Sequence, residues 1–377
     1  MRIGVVKETE ARETRVAATP ETVKKFASLG AEVLVAKSAG LASGVTDADY
    51  AAAGAALVDQ AEALAADVVL KVLRPDAEET AALKSGALVI AIQDPYGHAA
   101  EIDALAKAGV AAFAMELLPR ITRAQVMDVL SSQANLAGYR AVIDATAEYG
   151  RALPMMMTPA GTVPAARAFI MGVGVAGLQA IATARRLGAI VTATDVRPAT
   201  KEQVESLGAK FVAVEDEEFK AAETAAGYAK EMSAEYRAKQ AALVADHIKK
   251  QDIVITTALI PGRPAPRLVS AGQVASMRPG SVIVDLAGEA GGNCELSEPG
   301  QTVIRYDVKI LAPLNVPSTL AEHASQLYAR NIQALLGLMI EDGALKLDFD
   351  DEVIAGACIT RGGEIVHEGA QKAAGGP

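Results

Sequence analysis

A glycine-rich turn, Gly172-Val-Gly174-Val-Ala-Gly177, constrains the fold of this chain more than any other stretch. An apolar run typical of a buried parallel strand precedes it, and an alanine-rich amphipathic run typical of a helix follows it. A second apolar run then ends in Asp195. Strand, glycine turn, helix, strand and acid within about thirty residues form the dinucleotide-binding pattern. The predicted elements are a strand at 168–171, a helix at 176–187 and a strand at 190–194.

This turn is predicted to hold the pyrophosphate of a nicotinamide dinucleotide. Glycines let the backbone turn sharply and approach the phosphates, which lie on the free N–H groups at the helix start. Asp195 is predicted to accept hydrogen bonds from the adenosine ribose and to repel a 2′-phosphate, which favours NAD(H) over NADP(H). Arg197 argues the other way, since arginine often receives that phosphate; alternatively, it is a solvent-facing residue beside the adenine. The predicted contacts are Gly172, Gly174, Val175, Gly177, Asp195, Val196 and Arg197.

Composition narrows the class of protein. A chain of 377 residues, 51% hydrophobic and only 4% aromatic, suits about two domains of helices packed on parallel sheets. The net charge of −10, without a basic block, argues against nucleic acid and anionic lipid as partners. Cys294 and Cys358 lie far apart, which favours a reducing compartment and no metal site.

No targeting or membrane-spanning segment is expected. The chain begins directly with a strand pattern, which predicts no signal peptide. No apolar stretch reaches the roughly 18 residues needed to span a bilayer, so no direct membrane insertion is expected.

Apolar runs alternate with helical patterns along the rest of the chain. The part before the glycine turn has the pattern of a complete doubly wound unit without a glycine fingerprint. Its first helix begins at an N-cap, Thr19, followed by Pro20, and ends at Gly30. Long helices are predicted from 123 to about 148 and from 317 to about 341. The predicted strands are 3–6, 32–36, 68–73, 87–92 and 110–113 before the turn, and 211–214, 253–256, 281–285 and 310–312 after the segment described above.

A methionine-rich stretch precedes the glycine turn: Leu153-Pro-Met-Met-Met-Thr-Pro-Ala-Gly-Thr-Val-Pro164. Three consecutive methionines between prolines are unfavourable in water. The stretch is therefore either a loop buried in its own domain or a hairpin arm that packs on a second copy of the chain. We favour the second interpretation, which predicts a homodimer.

Motifs along nearly the whole chain are found in two related groups of proteins. On these residues the chain resembles the NAD(H)-binding soluble subunit of proton-translocating NAD(P) transhydrogenase and, more distantly, alanine dehydrogenase. Motifs common to both are Lys7-Glu8, Arg15-Val-Ala, Thr19-Pro20 and, in part, the stretches 119–128 and 131–140. Motifs more specific to the transhydrogenase are Ala193-Thr-Asp-Val-Arg197, Gly227-Tyr-Ala-Lys-Glu-Met232, Gly291-Gly-Asn-Cys294 and Cys358-Ile-Thr-Arg361-Gly.

The resemblance, together with the alternating pattern, implies the domain organisation. We expect an α/β fold of two doubly wound parallel-sheet (Rossmann-like) domains separated by a cleft, with the chain crossing between them twice. Residues 1–130 and 313–377 would form the domain without the fingerprint, and residues 131–312 the NAD(H)-binding domain.

The chemistry separates the two kinds of relative. An alanine dehydrogenase needs a positioned acid–base pair, which that family supplies by a lysine and a histidine at successive strand ends. Lys71 stands at the lysine position, but Gln93 follows the next strand. His98 is either a substitute or, as we prefer, a surface helix residue. Lys71 and Arg15 are then expected to form structural ion pairs, with Glu8 as a candidate partner.

The resemblance also assigns residues to the cofactor. Arg120, Gln125, Asp128 and Ser131 are implied to orient the nicotinamide and its ribose, with Gln125 reaching toward a partner subunit. Alternatively, Thr122 and Gln125 form a capping box that only secures a helix start. Further nucleotide contacts are implied for Gly227, Gln240 and Leu259. The stretch 215–232 is either a mobile flap, with Tyr228 closing over the nucleotide, or an exposed irregular helix.

Direct hydride transfer between two nicotinamides needs both rings held about 3–3.5 Å apart, without acid–base chemistry or a metal. Because the chain has a single fingerprint, the resemblance implies that NADP(H) is held by a separate partner subunit. It further implies a membrane-spanning proton-channel subunit. The chain would then be cytoplasmic and peripheral on the inner face of the bacterial cell membrane through these partners.

Overall fold

The computed structural model describes residues 1–220, 232–260 and 262–375. Gly227 and Tyr228, with most of the predicted flap, lie outside the described residues. The chain divides into two compact units, residues 1–133 with 317–377 and residues 134–316. The chain therefore passes from the first unit to the second and back. The boundaries proposed from the sequence were 130/131 and 312/313. Strands and helices are numbered below along the chain.

The first unit is built on an eight-stranded, mainly parallel sheet in the order β19-β18-β6-β5-β4-β1-β2-β3. Its central strands are continuous apolar runs because parallel strands are buried on both faces. Only β18 and β19 at one edge are antiparallel. The strands are β1 Arg2–Val5, β2 Glu32–Ala36, β3 Ala56–Val58, β4 Val68–Leu73, β5 Leu88–Ile92, β6 Ala111–Ala114, β18 Cys358–Arg361 and β19 Glu364–Ile365.

Helices cover this sheet and complete the core of the first unit. Thr19 and Thr22 form a capping box at the start of α1, and proline occupies the first turn. Phe26 of α1 and Tyr328 of α12 are fully buried. The helices are α1 Pro20–Ser28, α2 Asp47–Ala52, α3 Gln60–Leu64, α4 Ala77–Ala82, α5 Ala99–Lys107, α12 Ala321–Leu336, α13 Glu352–Ala357 and α14 Glu368–Ala373, and a small hairpin is formed by β16 Ile340–Glu341 and β17 Ala344–Leu345.

The second unit has a seven-stranded sheet in the order β11-β10-β9-β12-β13-β15-β14, parallel except for β14. The chain enters it along α6 (Val129–Glu148). Its strands are β9 Arg167–Met171, β10 Ile190–Thr194, β11 Lys210–Phe211, β12 Ile253–Thr256, β13 Val282–Asp285, β14 Thr302–Arg305 and β15 Val308–Leu311. Its other helices are α7 Val175–Arg186, α8 Thr200–Ser206, α9 Glu217–Lys220, α10 Ala234–Ile248 and α11 Ala271–Ala275.

The predicted fold class is confirmed, since both sheets are doubly wound and predominantly parallel. Some element boundaries were wrong. The strand predicted at 211–214 is only Lys210–Phe211. The helix predicted from 317 begins at Ala321, after a 3-10 turn at Val316–Leu320, and ends at Leu336. Among the described residues, no helix combines the length and apolarity that crossing a bilayer would need.

The methionine-rich stretch forms a two-stranded hairpin from β7 (Met156–Thr158) and β8 (Gly161–Val163). Every residue of both strands is exposed, and Met157 is 79% exposed. The alternative of a loop buried in its own domain is therefore wrong. Packing of the hairpin on a second copy stays a prediction.

Candidate nucleotide-binding site

The glycine turn joins β9 to α7, and its three glycines have different structural reasons. Gly172 has φ +101°, a conformation that side chains strongly disfavour. A Cβ on Gly177 would lie 1.9 Å from the carbonyl oxygen of Gly172, so a side chain there would push α7 off the turn. Gly174 differs: its φ is −80°, and no described atom lies within 4 Å of the position its Cβ would take. The fold therefore requires Gly172 and Gly177, whereas Gly174 leaves room for something outside the chain.

The first turn of α7 faces that room with free N–H groups. Gly174 is the N-cap, and Val175 opens the helix. The first N–H groups of an α-helix have no intrahelical acceptor and carry the positive end of the helix dipole. A negative phosphate can therefore approach the backbone here. This arrangement fits the pyrophosphate of a dinucleotide.

Asp195 lies directly beyond β10 and is tied to the same turn. Its Oδ2 accepts a hydrogen bond of 2.7 Å from the backbone N–H of Val173. The side chain of Arg197 folds back on Asp195, with Nε 2.9 Å from Oδ1 and Nη2 3.0 Å from Oδ2. Nη2 also donates to the carbonyl oxygen of Val173 over 3.1 Å. Val196 between them is 52% exposed.

Arg197 is therefore an ion-pair partner of Asp195, a role that neither interpretation of the sequence included. The Asp195 side chain is 7% exposed and that of Arg197 33% exposed. The guanidinium offsets part of the negative charge that would repel a 2′-phosphate. It also keeps a phosphate-binding group within reach if the carboxylate is removed.

The segments beyond β11 and β12 complete the carboxyl edge of this sheet. Gln240 of α10 accepts from the N–H of Val214 over 2.9 Å and donates to Oγ1 of Thr194 over 3.1 Å. Its amide therefore joins the end of β10 to the segment after β11. Leu259, beyond β12, is 57% exposed. Gln240 and Leu259 are thus placed at the sheet edge where open α/β folds bind ligands.

Sequence reasoning missed Thr257. Its Oγ1 donates to the carbonyl oxygen of Gly172 over 3.1 Å and its N–H to that of Met171 over 2.9 Å, so it braces the glycine turn from the neighbouring strand. The available signal was its position just beyond β12, because carboxyl ends of neighbouring parallel strands meet at one edge.

Both units match known protein families. The family models described as "Alanine dehydrogenase/PNT, N-terminal domain" and "C-terminal domain" match residues 4–137 and 141–368. An NAD(P) transhydrogenase subunit alpha protein of Rhodospirillum rubrum is 54% identical over 376 residues, covering 97% of this chain and 98% of that protein.

The chain belongs to the alanine dehydrogenase/PNT family. A crystal structure of transhydrogenase from Sinorhizobium meliloti matches with a TM-score of 0.90 and 58% identity, over 97% of this chain and all of that one. Alanine dehydrogenase of Mycobacterium tuberculosis is a more distant relative, 31% identical over 92% of this chain and 94% of its own length.

Within this family, the two basic groups of the first unit are of interest because both are paired internally. Nζ of Lys71 lies 2.8 Å from Glu79 and 3.3 Å from Glu8. Arg15 pairs with Glu13 over 2.6 Å. Burial lowers the pKa of Lys71, but the carboxylates of Glu8 and Glu79 more than offset this, so its pKa lies above the usual value. The expected ion pairs are present, with Glu79 and Glu13 as additional partners.

The strand next to Lys71 ends in an uncharged group. Gln93 is fully buried, and neither atom of its side-chain amide has a hydrogen-bond partner among the described residues. Its backbone N–H donates to Oε1 of Glu116 over 2.9 Å. His98 lies instead at the N-cap of α5, partly exposed and 2.9 Å from Asp94. That position fits the preferred interpretation of His98 as a surface residue.

The segment assigned to the nicotinamide end, 120–131, lies in the first unit. The helix predicted from 123 is wrong at its start: Thr122–Met127 is a 3-10 helix, Asp128 is extended, and α6 begins at Val129. The capping box at Thr122 and Gln125 is also wrong, because Ile121 is the N-cap and makes no side-chain cap.

Two of the four assigned residues meet at this break. Asp128 accepts from the N–H of Ser131 over 2.9 Å and from its hydroxyl, which secures the start of α6. Arg120 and Gln125 are exposed. Their roles toward a cofactor stay predictions.

Proposed function

We propose that this chain is the NAD(H)-binding subunit of a proton-translocating NAD(P) transhydrogenase. It would pass a hydride directly between its own NADH and NADP⁺ held on a partner subunit. The observation that carries the proposal is the unfilled approach at Gly174, beside the N–H groups of α7 and the buried carboxylate of Asp195. The transhydrogenase subunits among its relatives, similar over nearly their whole length, support the same conclusion.

The residues of the second unit would bind the dinucleotide. The turn and the first residue of α7 would hold the pyrophosphate, and Asp195, with Val196 and Arg197, would recognise the adenosine end. Gln240 and Leu259 would line the nucleotide, as would Gly227 and Tyr228, which lie outside the described residues. The proposed set at the turn is Gly172, Gly174, Val175 and Gly177.

Residues of the segment 120–131 would orient the nicotinamide end. We assign this role to Arg120, Gln125, Asp128 and Ser131. The bound dinucleotide would supply the hydride, while these side chains position it and exclude water. No proton has to be moved by a side chain, because a hydride with its two electrons is donated by one nicotinamide and accepted by the other.

The first unit supports this chemistry over that of an amino-acid dehydrogenase. A dehydrogenase acting on alanine needs a free acid–base pair. Here Lys71 is engaged by Glu79 and Glu8, and the neighbouring strand ends in Gln93. Neither group offers a proton exchange to a substrate.

The partners follow from the proposed reaction. An NADP(H)-binding subunit would hold the second nicotinamide, and a membrane-spanning proton-channel subunit would couple the transfer to proton movement. One charge crossing about 100 mV supplies roughly 2.3 kcal/mol, enough to bias the equilibrium. The chain would lie on the cytoplasmic, inner face of the bacterial membrane through these subunits. It would be a homodimer, with the β7–β8 hairpin as the contact.

The test is an assay of the purified chain in three mixtures. With NADH and an NADP⁺ analogue, hydride transfer is expected only after the NADP(H)-binding subunit is added. With alanine and NAD⁺, no turnover is expected. Turnover of alanine by the chain alone would establish the alternative, an alanine-dehydrogenase-like enzyme, which the 31% identical relative makes the second candidate. NADH binding without transfer in any mixture would indicate a non-catalytic NAD-sensing module.

A further inference from the structure

The motif Gly291-Gly-Asn-Cys294 is not used by the proposed contacts, yet its asparagine lies at the centre of a hydrogen-bond network. Asn293 is fully buried. Its Oδ1 accepts from the N–H of Ala258 over 2.9 Å. Its Nδ2 donates to the carbonyl oxygens of Ala258 and Pro266, each over 2.8 Å. One side chain thus holds Ala258 by both of its backbone polar groups.

Ala258 is in turn part of the wall behind the glycine turn. Its backbone nitrogen lies 3.2 Å from the position that a Cβ of Gly172 would take, and the preceding Thr257 is bonded to Gly172. Beyond it, Leu259 and Ile260 are 57% and 46% exposed. The grip of Asn293 therefore fixes the point at which these apolar side chains leave the sheet edge.

Asn293 is itself held from below by a buried acid. Asp285, at the end of β13, is fully buried and accepts from the N–H of Cys294 over 2.9 Å and the hydroxyl of Ser297 over 2.7 Å. A Cβ on Gly292, which has φ +79°, would lie 2.8 Å from this carboxylate. The glycine lets the chain pass close to Asp285, so the motif is shaped to present Asn293 to Ala258.

We propose that Asn293 is a positioning residue for the nicotinamide half of the dinucleotide, acting through Ala258 on Leu259 and Ile260. The inference rests on the proposed function. In the sheet order, β12 lies on the side of β9 opposite to β10, which carries Asp195 at its end. A dinucleotide spans the strands on both sides of the first strand of such a fold. The adenosine half therefore belongs to the β10 side and the nicotinamide half to the β12 side.

The experiment compares NADH and 5′-AMP binding to Asn293→Asp. Aspartate is similar in shape and can still accept from Ala258, but it cannot donate to the two carbonyl oxygens and repels them. NADH affinity is expected to fall by about tenfold or more, while AMP affinity is unchanged. As a matched control, Val274→Ala, in the core of the same unit, should lower Tm without changing either affinity.

Two further variants keep the test decisive if Asn293→Asp fails to fold. Asn293→Ser shortens the side chain without adding charge, and Thr257→Val removes the bond to Gly172 while keeping the side-chain shape. Both are expected to weaken NADH more than AMP. Equal weakening of both ligands, or unchanged NADH affinity in folded variants, would overturn the inference. Failure of the unmodified chain to bind NADH would instead refute the proposed function.

Discussion

Substitution of Gly174 by alanine separates binding from folding at the glycine turn. The residue has φ −80° and ψ −167°, which alanine adopts readily, and no described atom lies within 4 Å of the added Cβ. Replacing glycine in a compatible conformation stabilises a protein by about 0.4–1 kcal/mol. The poorer N-cap preference of alanine costs a similar amount, up to about 1 kcal/mol. The free energy of unfolding should therefore stay within about 1 kcal/mol of the unmodified chain.

The effect on NADH should be much larger. The new methyl group would stand where the pyrophosphate must approach the first N–H groups of α7. Hydrogen bonds to charged groups contribute about 1.5–3 kcal/mol each, so losing one or two of them weakens NADH binding by roughly a hundredfold. Titration of NADH fluorescence measures the affinity, and urea unfolding measures the stability.

Gly177→Ala is the matched control, because the same chemical change there meets the backbone. Its Cβ would lie 1.9 Å from the carbonyl oxygen of Gly172, so α7 must shift. Both stability and NADH affinity should fall. If Gly174→Ala binds NADH within about twofold of the unmodified chain, the pyrophosphate does not lie on this turn, and the reasoning is refuted.

Three other predictions concern charge and assembly. Asp195→Asn should weaken NADH about tenfold or more and strengthen NADPH through the released Arg197, a gain that Arg197→Ala in the same chain should abolish, both read by fluorescence titration. Burial raises the pKa of Glu116, so it favours the folded state most at low pH and this contribution is lost as pH rises through the raised pKa; Glu116→Gln should flatten that decline in urea unfolding between pH 5 and 8, and an unchanged slope would contradict it. Met157→Asp on the exposed hairpin should give monomers by analytical ultracentrifugation, whereas Leu41→Asp, also exposed but elsewhere, should not; dimeric Met157→Asp would argue against the hairpin contact.

The strands that sequence predicted best are those buried on both faces. The strands 32–36, 68–73, 190–194 and 253–256 have the same bounds in the structure, because continuous apolar runs between turn residues leave little choice of limits. The antiparallel edge strands β18 and β19 were not predicted. They are short, and their pairing with β6 joins residues far apart in the chain.

Sequence by itself determined the two α/β units, the glycine turn and the acid that follows the second strand, because these patterns are local and their spacing is fixed by strand and helix geometry. Only the tertiary structure decided what each polar group binds. It paired Arg197 with Asp195, engaged Lys71 with Glu8 and Glu79, and placed Asn293 against Ala258. Even the pairing of near neighbours depended on the local fold, and contacts between residues distant in the chain arise only once parallel strands bring their carboxyl ends to one edge.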